Sequence, residues 1–303
     1  MDFLISGTHL NPFILVGVGF IIGVMGGFFG VGGSFLAGPA LFALGVPTNF
    51  MVGTDLAHIV GKSVVAAKKH RALGNIDFKF AMFMIPGTIG GVEVGAGLIE
   101  HLKKSHNVDA PVAITFMIVL CGIAAFMGWE SWLTLRLKRG SHGAKTKKDV
   151  SVMATHSKRI QKLHLPPMIA FPQSGIKSLS VWIIFVVSFV GGLCGGFLGG
   201  GAGYIRMPAM VYLLGLPTHI AVGTDLFEVI ISAGYGTISH GMKGNVDILI
   251  ALVMHTGAAI GAQIGAHATQ FFAGPRIRLF FVPLPLIGAA ILLYGLLTGH
   301  HLK

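Results

Sequence analysis

Charge is the scarcest property of this chain. Of its 303 residues only 11% are Asp, Glu, Lys or Arg, and just 11 are acidic. Soluble domains carry about 25% charged residues, so a water-soluble globular domain is excluded. Cysteine is nearly missing as well. Cys121 and Cys194 both sit in apolar sequence, and no CxxC or Cys/His finger spacing occurs, so neither a disulfide framework nor a structural zinc site is expected. There is no Walker motif, no Ser-His-Asp set and no paired-carboxylate pattern. The chain is therefore expected not to be an enzyme and to need no cofactor. The N-terminus lacks a basic n-region, so no cleavable signal peptide is expected.

What fills the space is apolar sequence. The chain is 53% hydrophobic with mean hydropathy +0.78, and long apolar runs recur at 12–30, 78–99, 111–128, 179–198, 248–272 and 279–298. A membrane span needs about 20 such residues. The fold class expected is an all-α integral membrane protein, multi-pass, with the lipid bilayer as its solvent.

The net charge of +11 is not a nucleic-acid signal. Segment 136–177 holds ten Lys and Arg against one acid, Asp149, and so supplies +9 of the +11. A basic loop beside spans is what the positive-inside rule produces. The expected organisation is a first membrane repeat at 1–135, a basic cytoplasmic linker at 136–178, and a second membrane repeat at 179–303. The expected location is the inner membrane.

The repeat is visible directly. Pro47-Thr48 leads to Gly53-Thr54-Asp55-Leu56, and 170 residues later Pro217-Thr218 leads to Gly223-Thr224-Asp225-Leu226. Ungapped comparison of 47–77 with 217–247 gives 11 identities in 31 positions, among them His70/His240, Asn75/Asn245 and Asp77/Asp247. Upstream, the glycine-rich stretch 26–33 matches 195–201. Gly19, Gly23 and Gly27, then Gly87, Gly91 and Gly95, then Gly257, Gly261 and Gly265 are each spaced by four. In a helix each triplet forms a smooth face for close packing.

Residues 12–44 are long for one span and short for two. If Gly30–Gly33 is a bend, each half has five membrane elements and the odd count inverts the second half. If 12–44 is one bent helix, each half has four and the repeats are parallel. Two pseudosymmetric halves of 4–5 helices, about 8–10 elements in all, are expected, with inverted repeats favoured.

Acidic residues inside apolar sequence are expensive and mark candidate sites. Asp55 and Asp225 are candidates for a coupling ion, H⁺ or Na⁺. Their Thr-Asp pairs would equally serve as caps on helix starts. Gly30, Val31, Gly32 and Gly33, with Gly199, Gly200 and Gly201, would form unwound stretches whose N–H groups face an anion, or simple turns. Thr54 and Thr224 adjoin them. Lys62, seven residues after Asp55, and Arg206, just past the second glycine stretch, would supply positive charge to a small anionic substrate, or else serve as ion-pair partners. The copies differ here: His58 pairs with Glu228, Lys62 with Ser232, and Glu93 with Gln263. A divalent-cation transporter using Asp55, His58, Asp225 and Glu228, or a non-transporting subunit of a redox complex, are the rival readings. No nucleic acid is expected as a partner, and association into a homo-oligomer is left open.

The ordered set Gly26–Gly33, Pro39, Gly45-Val46-Pro47, Gly53-Thr54-Asp55 and Gly74-Asn75-Ile76-Asp77, with its counterparts Gly195–Gly203, Pro208, Gly215-Leu216-Pro217, Gly223-Thr224-Asp225 and Gly244-Asn245-Val246-Asp247, resembles the TauE/SafE sulfite exporter family. The likeness covers both membrane halves. It implies an inner-membrane permease for sulfite, thiosulfate, organosulfonates or other small organic anions. It fixes neither the anion nor the direction of transport.

Overall fold

A computed structural model describes residues 1–30, 33–104, 108–140, 160–161, 163 and 165–298. It is almost wholly helical. The first half opens with a small hairpin, β1 (Asp2–Phe3) and β2 (Thr8–His9). Helices α1 (Pro12–Phe29), α2 (Ser34–Ala43), α3 (Thr48–Ala72), α4 (Phe78–Lys104) and α5 (Asp109–Gly140) follow. The second half repeats the order. A hairpin, β3 (Met168–Phe171) and β4 (Ile176–Ser180), precedes α6 (Val181–Leu198) and the short α7 (Gly203–Ala209), which runs on as a π-helical turn, Met210–Leu214. Then come α8 (Thr218–Met242), α9 (Ile248–Ala268) and the pair α10 (Gly274–Phe281) and α11 (Pro283–Thr298). Seven helical stretches among the described residues are long and apolar enough to cross a membrane.

Five elements per half follow from the glycine interruptions. α1 starts at Pro12 with Asn11 accepting a hydrogen bond from Phe13 N, and it ends at Gly30 in the left-handed conformation, φ 73°. That is the usual Pro-first, Gly-last pattern. The chain then reverses into α2, so 12–44 is two elements. Residues 168–178, inside the expected linker, belong to the β3–β4 hairpin.

The repeats run in opposite directions. The hydroxyl of Thr54, early in α3, accepts a hydrogen bond from Asp247 N, just beyond the end of α8, at 2.9 Å. Reciprocally, Thr224 early in α8 accepts from Asp77 N, just beyond the end of α3, at 2.9 Å. Each helix begins where the other ends, so α3 and α8 are antiparallel, as five elements per half require.

The halves also exchange partners. α1 lies along α9 and α6 lies along α4. The glycine faces make this possible. A Cβ at Gly23 would stand 2.7 Å from Ala258 Cα, and one at Gly91 would stand 2.9 Å from Gly192 C. With no hydrophobic drive between helices in lipid, such backbone contact is the main source of helix affinity. Gly91→Val should push α4 from α6 and cost about 1–3 kcal/mol, the usual range for overpacking. Thermal unfolding in detergent would show it; an unchanged midpoint would contradict this packing.

Buried histidines and serines lock the ends. His70 Nε2 donates to Gly27 O at 3.1 Å, and His240 Nε2 donates to Gly196 O at 2.9 Å. Asp77 and Asp247 cap α4 and α9, accepting from Phe80 N and from Leu249 N and Ile250 N. Each capping carboxylate is held in turn by the hairpin of the opposite half. Ser174 Oγ donates to Asp77 Oδ2 at 2.6 Å, and Ser6 Oγ donates to Asp247 Oδ2 at 2.7 Å. Ser6→Ala and Ser174→Ala should each cost about 1–3 kcal/mol, because a buried carboxylate loses a charge-assisted partner. Two near-equal losses are expected from unfolding curves of the separate variants; one silent serine would refute the equivalence.

Candidate functional site

The Thr-Asp pairs do not cap helix starts. α3 begins at Thr48, after Pro47, and α8 at Thr218, after Pro217. Thr54-Asp55 and Thr224-Asp225 therefore lie two turns inside their helices. Proline fixes the start in each copy, because its ring sets φ for the first turn and it lacks an N–H. Both threonine hydroxyls are spent in the reciprocal bonds to Asp247 and Asp77.

With the caps set back, both aspartates fall in the interior. Asp55 is 1% exposed and Asp225 fully buried. On α3, Asp55, His58 and Lys62 share one face at helical spacing. Lys62 Nζ lies 3.3 Å from His58 Nδ1, and His58 Nδ1 lies 3.7 Å from Asp55 Oδ1. An ammonium can only donate, so His58 Nδ1 accepts and the neutral ring carries its proton on Nε2. Among the described residues Nε2 has no partner, and neither Asp55 oxygen receives a hydrogen bond.

The α8 face is different because the copies differ. Arg206, from α7, donates through Nε to Asp225 Oδ1 at 2.9 Å and forms an ion pair through Nη1 with Glu228 Oε2 at 2.5 Å. Nη1 also reaches Thr88 Oγ1 on α4, at 3.4 Å, and Ser232 Oγ donates to Glu228 Oε2 at 3.2 Å. Arg206 Nη2, Asp225 Oδ2 and Glu228 Oε1 have no partners among the described residues. One guanidinium thus holds two carboxylates.

The second glycine break lies against both faces. Gly199, Gly200 and Gly201 all have positive φ, at 84°, 83° and 63°. Only glycine takes three such angles in succession without strain. Gly199 meets Val52, and a Cβ there would be 3.7 Å from Asp55 Oδ2; a Cβ at Gly201 would meet Val229 and Ile59. In the first break, Gly30 and Gly33 are both left-handed, and Gly30 backs onto Val222. Val31 and Gly32 lie outside the described residues.

The structure brings together Asp55, Lys62, Gly199 and Gly201 along the α3 face, and Arg206 with Asp225 across α7 and α8. Thr54, Thr224, Gly30 and Gly33 serve the frame. Sequence reasoning did not single out Thr88, nor Ser6 and Ser174. The serines had a signal: Ser6-Gly7 recurs as Ser174-Gly175, outside the apolar runs. Asp55, His58, Asp225 and Glu228 do not form one metal-binding group. Arg206 occupies the last two, and no cluster of three or more His, Cys, Asp and Glu suited to a metal ion occurs among the described residues.

No solved structure matches this chain. The chain is similar to the probable membrane transporter protein YunE of Bacillus subtilis, 28% identical over 94% of this chain and 98% of that protein. It is likewise similar to the probable membrane transporter protein YjnA of the same organism, 24% identical over 91% of this chain and 94% of that one. A probable membrane transporter protein of Methanocaldococcus jannaschii, MJ0441, is 38% identical over 33% of this chain and 47% of its own. The family described as sulfite exporter TauE/SafE matches residues 15–292, nearly the whole of both halves. With its inverted helical repeats and its buried charges between them, the chain belongs to the sulfite exporter TauE/SafE family of multi-pass membrane transporters.

Proposed function

We propose that the chain is a secondary transporter of a small, sulfur-containing oxyanion such as sulfite, thiosulfate or an organosulfonate. The observation that carries this reading is Lys62. Its ammonium is 1% exposed, and no carboxylate among the described residues comes within ion-pair distance of it. A buried cation whose one hydrogen-bond partner among the described residues is an imidazole nitrogen, with the Asp55 carboxylate beyond ion-pair distance on the same face, is costly, and a substrate anion would relieve that cost. Lys62, His58 Nε2–H and the glycine break at Gly199–Gly201 are the anion's partners in this reading. The sulfur preference rests on the family.

Arg206 is occupied by protein carboxylates and serves the coupling step. Asp225 and Glu228 against one guanidinium leave room for one proton or one sodium ion, and Asp55 offers a second acceptor of the same kind. Orientation follows charge. Lys68, Lys69, Arg71, Lys79, Lys177, Arg276 and Arg278 cluster at the linker's end of the bundle, against Lys103, Lys104 and Lys243 at the other. In this reading the linker's end faces the cytoplasm across the inner membrane, as the positive-inside rule favours.

The test is a thermal-shift screen of purified protein against sulfite, thiosulfate, sulfate, a sulfonate, small carboxylates and divalent metals. A ligand at 100 times its Kd should stabilise by about 2.7 kcal/mol. Stabilisation by sulfur oxyanions is expected. Stabilisation by metals alone would sink the anion reading.

A further inference from the structure

The two halves repeat, but the seams beside their long helices do not. At the linker's end, α3 and α9 part around a cavity of about 690 Å³, lined by Val64, Val65, Lys68, Lys69, Gln263 and His267 together with Ala72. No acid lines it. The sequence repeat pairs Val65 with Tyr235, Lys69 with Ser239, and Gln263 with Glu93. Those counterparts shut the equivalent seam between α8 and α4 at the opposite end. Glu93 Oε2 accepts from Tyr235 Oη at 3.0 Å and from Ser239 Oγ at 2.7 Å. Lys243 Nζ donates to Glu93 Oε1 at 3.1 Å and to Ser239 Oγ at 2.6 Å. The same seam is latched by a carboxylate in one half and is open and basic in the other.

The open seam points toward the buried site. On α9, His255, Gln263 and His267 lie along one row. The His255 ring packs on Gly61, where a Cβ would stand 2.6 Å from Nδ1, and Gly61 adjoins Lys62. The cavity itself is lined by Lys68, Lys69 and His267; beyond it, in the direction of the buried site, lie His255 and then Lys62. A water molecule takes about 30 Å³, so the mouth accommodates a small oxyanion with much of its hydration shell. We infer that this cavity is an entry vestibule for a dissolved oxyanion, loading Lys62 from the linker's side while the Glu93 latch keeps the opposite seam closed. The inference rests on the anion reading of Lys62 and adds to it the route and the side of entry.

The test reads the mouth without reading transport. In the full chain carrying Cys121→Ala and Cys194→Ala, Val64→Cys places a thiol in the wall; Val64 is 49% exposed. Its alkylation rates by iodoacetate and by neutral iodoacetamide are measured in vesicles, each normalised to a free small thiol. Electrostatic focusing should favour the anionic reagent by about tenfold. Sulfate should slow both reagents, and Lys68→Gln with Lys69→Gln should remove the preference. Equal normalised rates, or no labelling by either reagent, would overturn the vestibule. Protection by phosphatidylglycerol in the vesicle but not by dissolved sulfate would assign the cavity to a lipid headgroup and overturn it too. Lys62→Met should leave the preference intact. A mouth that prefers the anion in a protein that no anion stabilises would overturn the substrate reading of Lys62, and with it the loading of Lys62, and leave only the anion-gathering mouth.

Discussion

Arg206→Ala should destabilise the protein by about 3–5 kcal/mol and abolish transport, the usual result of removing one partner from a buried ionic group. Asp225 and Glu228 are both fully buried and both ion-paired to this one guanidinium. Without it, two carboxylates face each other in a medium that solvates neither. Neutralising them as well separates the two consequences. The triple variant Arg206→Met, Asp225→Asn, Glu228→Gln should regain most of the thermal stability, because this cluster then holds no charge, yet should still fail to transport. Unfolding in detergent and flux in proteoliposomes are the two measurements. A stable, active Arg206→Ala protein would show that the triad neither holds the bundle nor couples transport.

The second large effect is expected at Lys62 and is of the opposite kind. Lys62→Met keeps the length of the side chain and removes a charge that no carboxylate among the described residues pairs directly. The fold should therefore survive. Stabilisation by an added oxyanion should disappear, and the anion's affinity should fall by about 10–100-fold, the worth of a hydrogen bond to a charged group. Lys62→Arg should retain part of it. Titration calorimetry against the anion identified by the thermal screen checks this. Unchanged affinity in Lys62→Met would move the substrate elsewhere.

Much of this architecture could be read from the sequence because the chain states it twice. The Gly-x-Pro-Thr and Gly-Asn-x-Asp landmarks fixed the equivalences, and glycine spacing of four marked the faces where α1 meets α9 and α4 meets α6. The buried charges could be found for a different reason: Asp55, Lys62, Arg206 and Asp225 stand out in a chain with so few of them. Pairing could not be read. Arg206 lies 19 residues from Asp225 and is brought to it by a glycine break and a π-helical turn, which no periodicity foretells. The capping role was misassigned because a Thr-Asp dipeptide is a good cap in isolation, whereas the helices start further upstream, after Pro47 and Pro217. The hairpins were missed because strands of two to five residues leave almost no pattern.

The exchange of partners between the halves bears on how such a chain is made. α1 finds its glycine-to-backbone groove on α9, and Asp77 receives its serine from the β3–β4 hairpin of the opposite half. A ribosome that has released 1–135 has therefore inserted half of an isologous pair, in which each protomer lends its first helix and its hairpin to the other. Such an arrangement closes with two-fold symmetry. One half alone would close as a dimer of oppositely inserted copies, and in this chain the basic segment 136–177 joins the two halves. Severing that segment and expressing the two halves together should yield a complex that purifies as one.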